Sequence, residues 1–148
     1  MTWTTFEGRI EPLEWGRNTY TILCLPAEVV EALGRPRRVE GEIADHPIEA
    51  GVARADVIAD AFLYIGKNFL AAAGIEPGEA VEARLRTADP DRVEVPADVA
   101  AAIRAVGRTA AWEALTAGRR RGLLHTVATA RRAQTRARRI AALLAALD

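Results

Sequence analysis

The chain is predicted to be an α+β protein, a small N-terminal β-barrel with short helices followed by a C-terminal helical segment. Three observations carry that prediction. Residues 1–95 read as short, alternating, Thr- and Val-rich runs broken by Gly, Pro, Asn and Asp. After Pro96 the composition turns abruptly to Ala, Leu and Arg at helical spacing. Charge reverses sign at nearly the same place: residues 1–100 carry 10 basic and 18 acidic side chains, net −8, and residues 101–148 carry 10 and 2, net +8. Opposite charges attract, so the organisation expected is a barrel over 1–95 with a helical tail, 96–148, packed on it.

Taken in order, Thr2 to Ile10 alternates as a first strand, closed by Pro12 and the turn Gly16-Arg17-Asn18. Thr19 to Leu25 is a second strand, stopped by Pro26. That proline suits the first turn of a helix over Ala27 to Leu33, which Gly34 ends. Arg37 to Ala44 is a third strand, Asp45-His46-Pro47 a turn, and Ile48 to Val52 a short strand. Val57 to Ile65 is the most apolar strand and the one expected to be most buried. Gly66-Lys67-Asn68 opens a short helix, Phe69 to Ala73, closed by Gly74. Ala80 to Thr87 is the last long strand, and Val93-Glu94-Val95 a short return segment. Strands this short and this closely spaced indicate a barrel or sandwich rather than a βαβ sheet. Beyond Pro96, helices are expected over Asp98 to Val106, ended near Gly107, over Thr109 to Ala117, ended by Gly118, and over Arg119 to about Arg131. A fourth carries the arginine run 130–140.

On a helical wheel, Ala130, Ala133, Ala137, Ile140, Ala141 and Leu144 make one apolar face of that run, and the arginines take the other. Leu124 falls out of phase with Ile140 and Leu144, so a break near Ala130–Ala133 is expected. Arg132, Arg136 and Arg139 are spaced i,i+4 and i,i+3 with no acid between them, an arrangement that repels by roughly 0.2–0.5 kcal/mol per pair. It asks for an anionic partner. A helix starting near Ala133 also offers its positive end to an anion. The candidate site is therefore Arg131, Arg132, Thr135, Arg136 and Arg139, with the lone lysine, Lys67, as a second candidate at a strand-to-helix turn. Two readings stand: a ligand or partner site, or internal pairing with barrel carboxylates such as Glu40, Glu42, Glu76, Glu79 and Glu82.

Chemistry other than binding finds little support. The single Cys24, in an apolar strand, reads as a small hydrophobe and excludes an intramolecular disulfide or a multi-cysteine zinc site. His46 reads as an exposed turn residue and His125 as a partly buried helix residue; neither belongs to a catalytic or metal constellation. Nucleophile-elbow, P-loop and dinucleotide motifs are lacking. A non-enzymatic protein without metal or cofactor is expected, its partner an unknown protein or an anionic ligand. Zero net charge disfavours nucleic acid. No apolar run approaches the ~18 residues of a membrane span, and the amino terminus lacks a signal-peptide pattern, so a cytoplasmic setting is expected.

The run Ala130-Arg131, Gln134-Thr135-Arg136, Arg138-Arg139-Ile140 resembles the carboxy-terminal signature of the bacteriocin-protection, YdeI/OmpD-associated family, Ala-Lys-x-x-Glu-Thr-Arg-x-Arg-Arg-Ile. Arg131 stands where Lys is usual, Gln134 where Glu is usual and Ala133 where Pro is common. The residues ahead of it resemble the small β-barrel domain of unknown function that often accompanies that signature. The matching stretches include Tyr20 to Pro26, Arg38-Val39-Glu40-Gly41, Ile65-Gly66-Lys67 and Gly74 to Val81. The resemblance implies a double-split barrel of the AbrB-like type with a helical tail, no known enzyme activity and no settled biochemical role; a relation to stress or bacteriocin protection is the expectation drawn from it.

Overall fold

The computed structural model describes residues 2–148 and divides them into two compact units, one ending at Asp89 and the other Pro90–Asp148. The first unit contains β1 (Thr4–Trp15), β2 (Asn18–Leu25), α1 (Ala27–Ala32), β3 (Arg38–Ile43), β4 (His46–Gly51), β5 (Ala53–Ala55), β6 (Ile58–Tyr64), α2 (Lys67–Ala73) and β7 (Ala80–Thr87). The second contains α3 (Ala97–Ala105), α4 (Thr109–Ala114), α5 (Ala117–Ala128) and α6 (Ala133–Ala145). The α+β class is as expected.

The strands form one antiparallel sheet in the order β4-β3-β7-β1-β2-β6-β5. β1 joins its two halves, pairing first with β7 (Thr4↔Leu85 to Arg9↔Ala80) and then with β2 (Ile10↔Leu23 to Trp15↔Asn18). Both halves contribute to one core, with Val39 and Ile43 from β3, Ile10 from β1, Leu23 and Leu25 from β2 and Leu63 from β6 all nearly inaccessible. The sheet thus wraps its core, yet its edge strands β4 and β5 are not hydrogen-bonded neighbours, so the barrel is open. β5 has only three residues and pairs irregularly with β6, which leaves little ladder to complete a closure.

Two expected turns move. Pro12 does not end the first strand, which continues to Trp15 with Pro12 opposite Thr21. Beyond Ile10 only β2 pairs with β1, and a residue lacking an N–H is tolerated on such a one-sided stretch. The β3–β4 turn is Ala44-Asp45, both with positive φ (50° and 63°) as tight two-residue hairpins require, and His46 and Pro47 belong to β4. His46 is therefore half-buried rather than an exposed turn residue, its ring edge-on to Phe69 at 5.0 Å.

Three helices end as their glycines predict. After α1, Gly34 N–H bonds Glu31 O and Arg35 N–H bonds Val30 O; Gly74 and Ile75 repeat the pattern after α2, and Gly107 and Arg108 after α3. Each glycine has positive φ, and each pair closes the orphan carbonyls of the last turn. Gly118 does not end a helix. α4 stops at Leu115, which is extended, and Thr116 caps α5 by accepting the Arg119 N–H at 3.2 Å. Residues 93–95 form no strand; Val93 and Val95 pack on the helical core of Val99, Ile103, Trp112, Leu124, Val127, Leu143 and Leu147. Arg121 holds this entry segment, donating from Nη2 to Pro90 O and to Arg92 O (2.9 Å).

Candidate functional site

The arginine run is divided by a helix break where one is expected. α5 ends at Ala128 and α6 starts at Ala133, with Ala130 N–H returning to Val127 O. The segment then splits into two classes of arginine.

Arg136 and Arg139 are built into the scaffold. Arg136 grips Asp98 with two parallel bonds, Nε to Oδ2 at 2.8 Å and Nη2 to Oδ1 at 2.9 Å. Asp98 lies in the first turn of α3, where its Oδ1 also accepts the Val99 N–H at 2.9 Å. An acid there is favoured by the helix's own partial positive charge, and the fork-on-carboxylate geometry adds direction to the attraction. The pair ties the start of α6 to the start of α3. Arg139 reaches across the break, its Nη1 donating to Thr126 O at 2.9 Å and Thr129 Oγ1 at 3.0 Å. These acceptors sit at the last turn of α5, whose carbonyls attract a cation. Ile140, next in the chain, packs on the helical core.

Arg131, Arg132 and Arg138 are exposed, and no ion pair engages them among the described residues. Arg132 occupies the N-cap position of α6 and contributes no side-chain cap, and no acid stands in the helix's first turn. Thr135 is half-buried in that first turn. The sequence groups these residues by periodicity, whereas the fold separates them by partner. Arg138 falls outside the sequence grouping because its neighbours at i±3 and i±4 are Gln134, Thr135, Ala141 and Ala142 rather than arginines.

Of the barrel carboxylates expected as partners, Glu40 and Glu79 engage groups of the sheet unit itself. Glu40 lies opposite Arg86 in register with 3.6 Å between charged atoms, and Glu42 lies opposite Arg84. Glu79 accepts the Glu76 N–H at 2.8 Å. Arg84 and Arg86 both stack on Trp3, 4.0 and 4.4 Å from the ring centroid. Lys67 is the exposed first residue of α2, in the sheet unit, whereas the arginine run lies in the helical unit. His125 is exposed in the last turn of α5 rather than partly buried. Cys24 is half-buried beside the Leu13, Ile22 and Phe62 cluster, and burial together with a hydrogen bond to Glu11 pushes its thiol up to about 12, so it stays protonated and unreactive at neutral pH.

A second feature was not legible from motifs. A cleft of about 660 Å³ opens in the sheet unit between α1, the loop after it, β5 and the start of β6. Its floor is apolar, and Arg35, Arg37 and Arg54 stand among its lining residues.

The Arg136 contact holds the Asp98 carboxyl below its ordinary range, first through the side-chain hydrogen bonds and then through the charge itself. Because the folded-state value is the lower one, the unfolded chain binds more protons as pH falls. The pair's stabilising contribution is therefore present above the ordinary aspartate range, about pH 3.9, and is lost as pH drops through the depressed folded value. Asp98→Asn is expected to flatten the acid limb of the helical unit's stability, measured by 222 nm ellipticity in urea from pH 7 to pH 2. An acid limb unchanged in the variant would mean the pair contributes nothing to folding.

Residues 6–85 match the model of a domain of unknown function, DUF1905, and residues 92–148 match that of the family described as bacteriocin-protection, YdeI or OmpD-associated. No curated protein matches the chain. The two matches fall on the two compact units, with the signature arginines placed as the α3–α5–α6 contacts describe. The chain belongs to the DUF1905 family, with a bacteriocin-protection, YdeI/OmpD-associated segment as its carboxy-terminal unit.

Proposed function

We propose that this is a non-enzymatic cytoplasmic binding protein, protective in role as its family description suggests, whose helical unit takes an anionic partner at Arg131, Arg132 and Arg138. One observation supports this reading above the others. The scaffold uses Arg136 and Arg139 but leaves three guanidinium groups exposed around an uncapped helix start. Such a start presents backbone N–H donors and partial positive charge, and the flanking arginines add bidentate donors for carboxylate or phosphate. A protein partner with an acidic surface fits this better than nucleic acid. Trp112, the one tryptophan of the helical unit, is 5 % exposed in its core and unavailable for base stacking.

The test is a thermal-shift series at low and high salt with inorganic phosphate, an acidic peptide and short DNA. Wild type is expected to gain stability with the acidic peptide, and the Arg131→Ala/Arg132→Ala/Arg138→Ala variant to fold normally and gain none. Binding that survives the triple substitution removes these arginines from the site. A response confined to DNA, with steep salt dependence, makes the protein a nucleic-acid binder instead.

A further inference from the structure

We infer that the cleft in the sheet unit is a binding site for a small amphipathic anion, a ligand with one carboxylate or phosphate head on a compact apolar body. The cleft's volume, about 660 Å³, lies within the ~300–1,000 Å³ of small-molecule sites. Ala27, Pro36, Val52 and Ala59 give it accessible apolar surface, backed by Leu25 and Ala61, which are 1 % exposed and belong to the core. A polar ligand alone would gain nothing from that surface, and an apolar one alone would ignore its rim.

The rim concentrates positive charge in a unit whose overall balance is acidic. Residues 1–89 hold 9 basic and 15 acidic side chains, and three of those nine line this single cleft. Glu31 and Asp60 stand there as well: Glu31 is bound to Arg35 at 2.7 Å, and the exposed Asp60 offsets one further arginine, so the lining stays net positive by one charge. Arg37 and Arg54 are exposed and have no ion pair among the described residues. Low-dielectric walls beneath two such guanidinium groups focus the potential toward an incoming anion.

The backbone is shaped to keep that rim in place. Arg35 sits at φ 54°, a left-handed conformation that a residue with a Cβ rarely adopts. It is held there by its N–H bond to Val30 O and its side-chain bond to Glu31 (2.8 Å). The next residues continue the clamp: Val52 N–H donates to Arg37 O at 2.8 Å, joining the loop after α1 to the strand segment that carries Arg54. Strain stored beside a cleft marks a position whose geometry is over-determined by its surroundings.

The experiment is a titration of the ¹⁵N-labelled full chain with octanoate and with octyl phosphate, which separates the two head groups, followed by amide chemical shifts. Octanol and inorganic phosphate serve as the head-less and tail-less controls. At least one amphiphile is expected to perturb amides of residues 25–37 and 52–61 and to bind at least tenfold tighter than either control. Arg37→Ala/Arg54→Ala is expected to weaken it at least tenfold, with binding to octanol unchanged. Ala27→Trp, at an exposed cleft position, fills the space without altering charge and is expected to abolish binding. The Arg131→Ala/Arg132→Ala/Arg138→Ala variant is expected to bind the amphiphile like wild type, so this site and the helical one fail independently. The inference is overturned if neither amphiphile binds, if the control anion binds as tightly, or if both cleft variants bind normally.

Discussion

Replacing Gly41 with alanine is expected to cost the sheet unit about 3–5 kcal/mol, a large share of the ~5–15 kcal/mol that holds a typical domain together. Gly41 lies mid-strand in β3, between Ile48 on one side and Leu85 on the other. A Cβ there would sit 1.9 Å from the Arg84 carbonyl oxygen, and 3.0 Å from the Leu85 Cα. Both are backbone atoms of the neighbouring strand, so no rotamer change relieves the clash; the β3–β7 ladder itself must part. The residue's φ of 151° adds a conformation that side chains disfavour. Urea unfolding followed by amide signals of β3 and β7 checks this. Gly66→Ala is the matched control: its φ is −72° and nothing lies within 4 Å of the added carbon, so a change within about 0.5 kcal/mol is expected. Equal tolerance of both substitutions would contradict the strand approach described here.

Trp112→Ala is expected to do comparable damage in the helical unit, about 3–5 kcal/mol. Trp112 is the largest side chain in a core otherwise made of Val99, Ile103, Leu124, Val127, Leu143 and Leu147. A unit running only from Pro90 to Asp148 has little further apolar surface to bury, so the cavity cannot be offset by repacking elsewhere. The expected readout is loss of 222 nm ellipticity at lower urea and loss of hydrogen-exchange protection in α3, α5 and α6. Trp112→Phe, which keeps most of the apolar volume, is expected to lose only about 1–2 kcal/mol. An alanine variant as stable as wild type would show that this residue does not organise the helices.

How far the sequence could be read depends on the range of the signal. Gly34, Gly74 and Gly107 announce the ends of their helices because left-handed closure is a local requirement of one residue. The α5–α6 break is equally local, since a phase slip between Leu124 and Ile140 is visible on a wheel. Pro12 and His46-Pro47 misled for the opposite reason. Whether a proline ends a strand depends on which edge is paired, and that is set by β2 and β4 rather than by the proline. Thr116 was passed over as a cap because Gly118, two residues on, is the stronger textual signal, although helix α5 accommodates it.

The sequence by itself determined the α+β class, most of the strands and the glycine-ended helices, because each rests on neighbours within a few residues; the apolar face expected for α6 is rotated, with Leu143 and Leu147 buried while Ala133, Ala137 and Ala141 are exposed. Only the tertiary structure decided which arginines are free. Arg136 is claimed by Asp98, thirty-eight positions away, and Arg139 by the end of α5, while Arg131, Arg132 and Arg138 keep their charge exposed. The open sheet and the cleft beside Arg37 and Arg54 arise likewise from segments that meet only on folding. A pattern along the chain fixes which face a residue takes on its own helix or strand. The groups available to pair with it come from elsewhere in the chain, and their arrival is a property of packing.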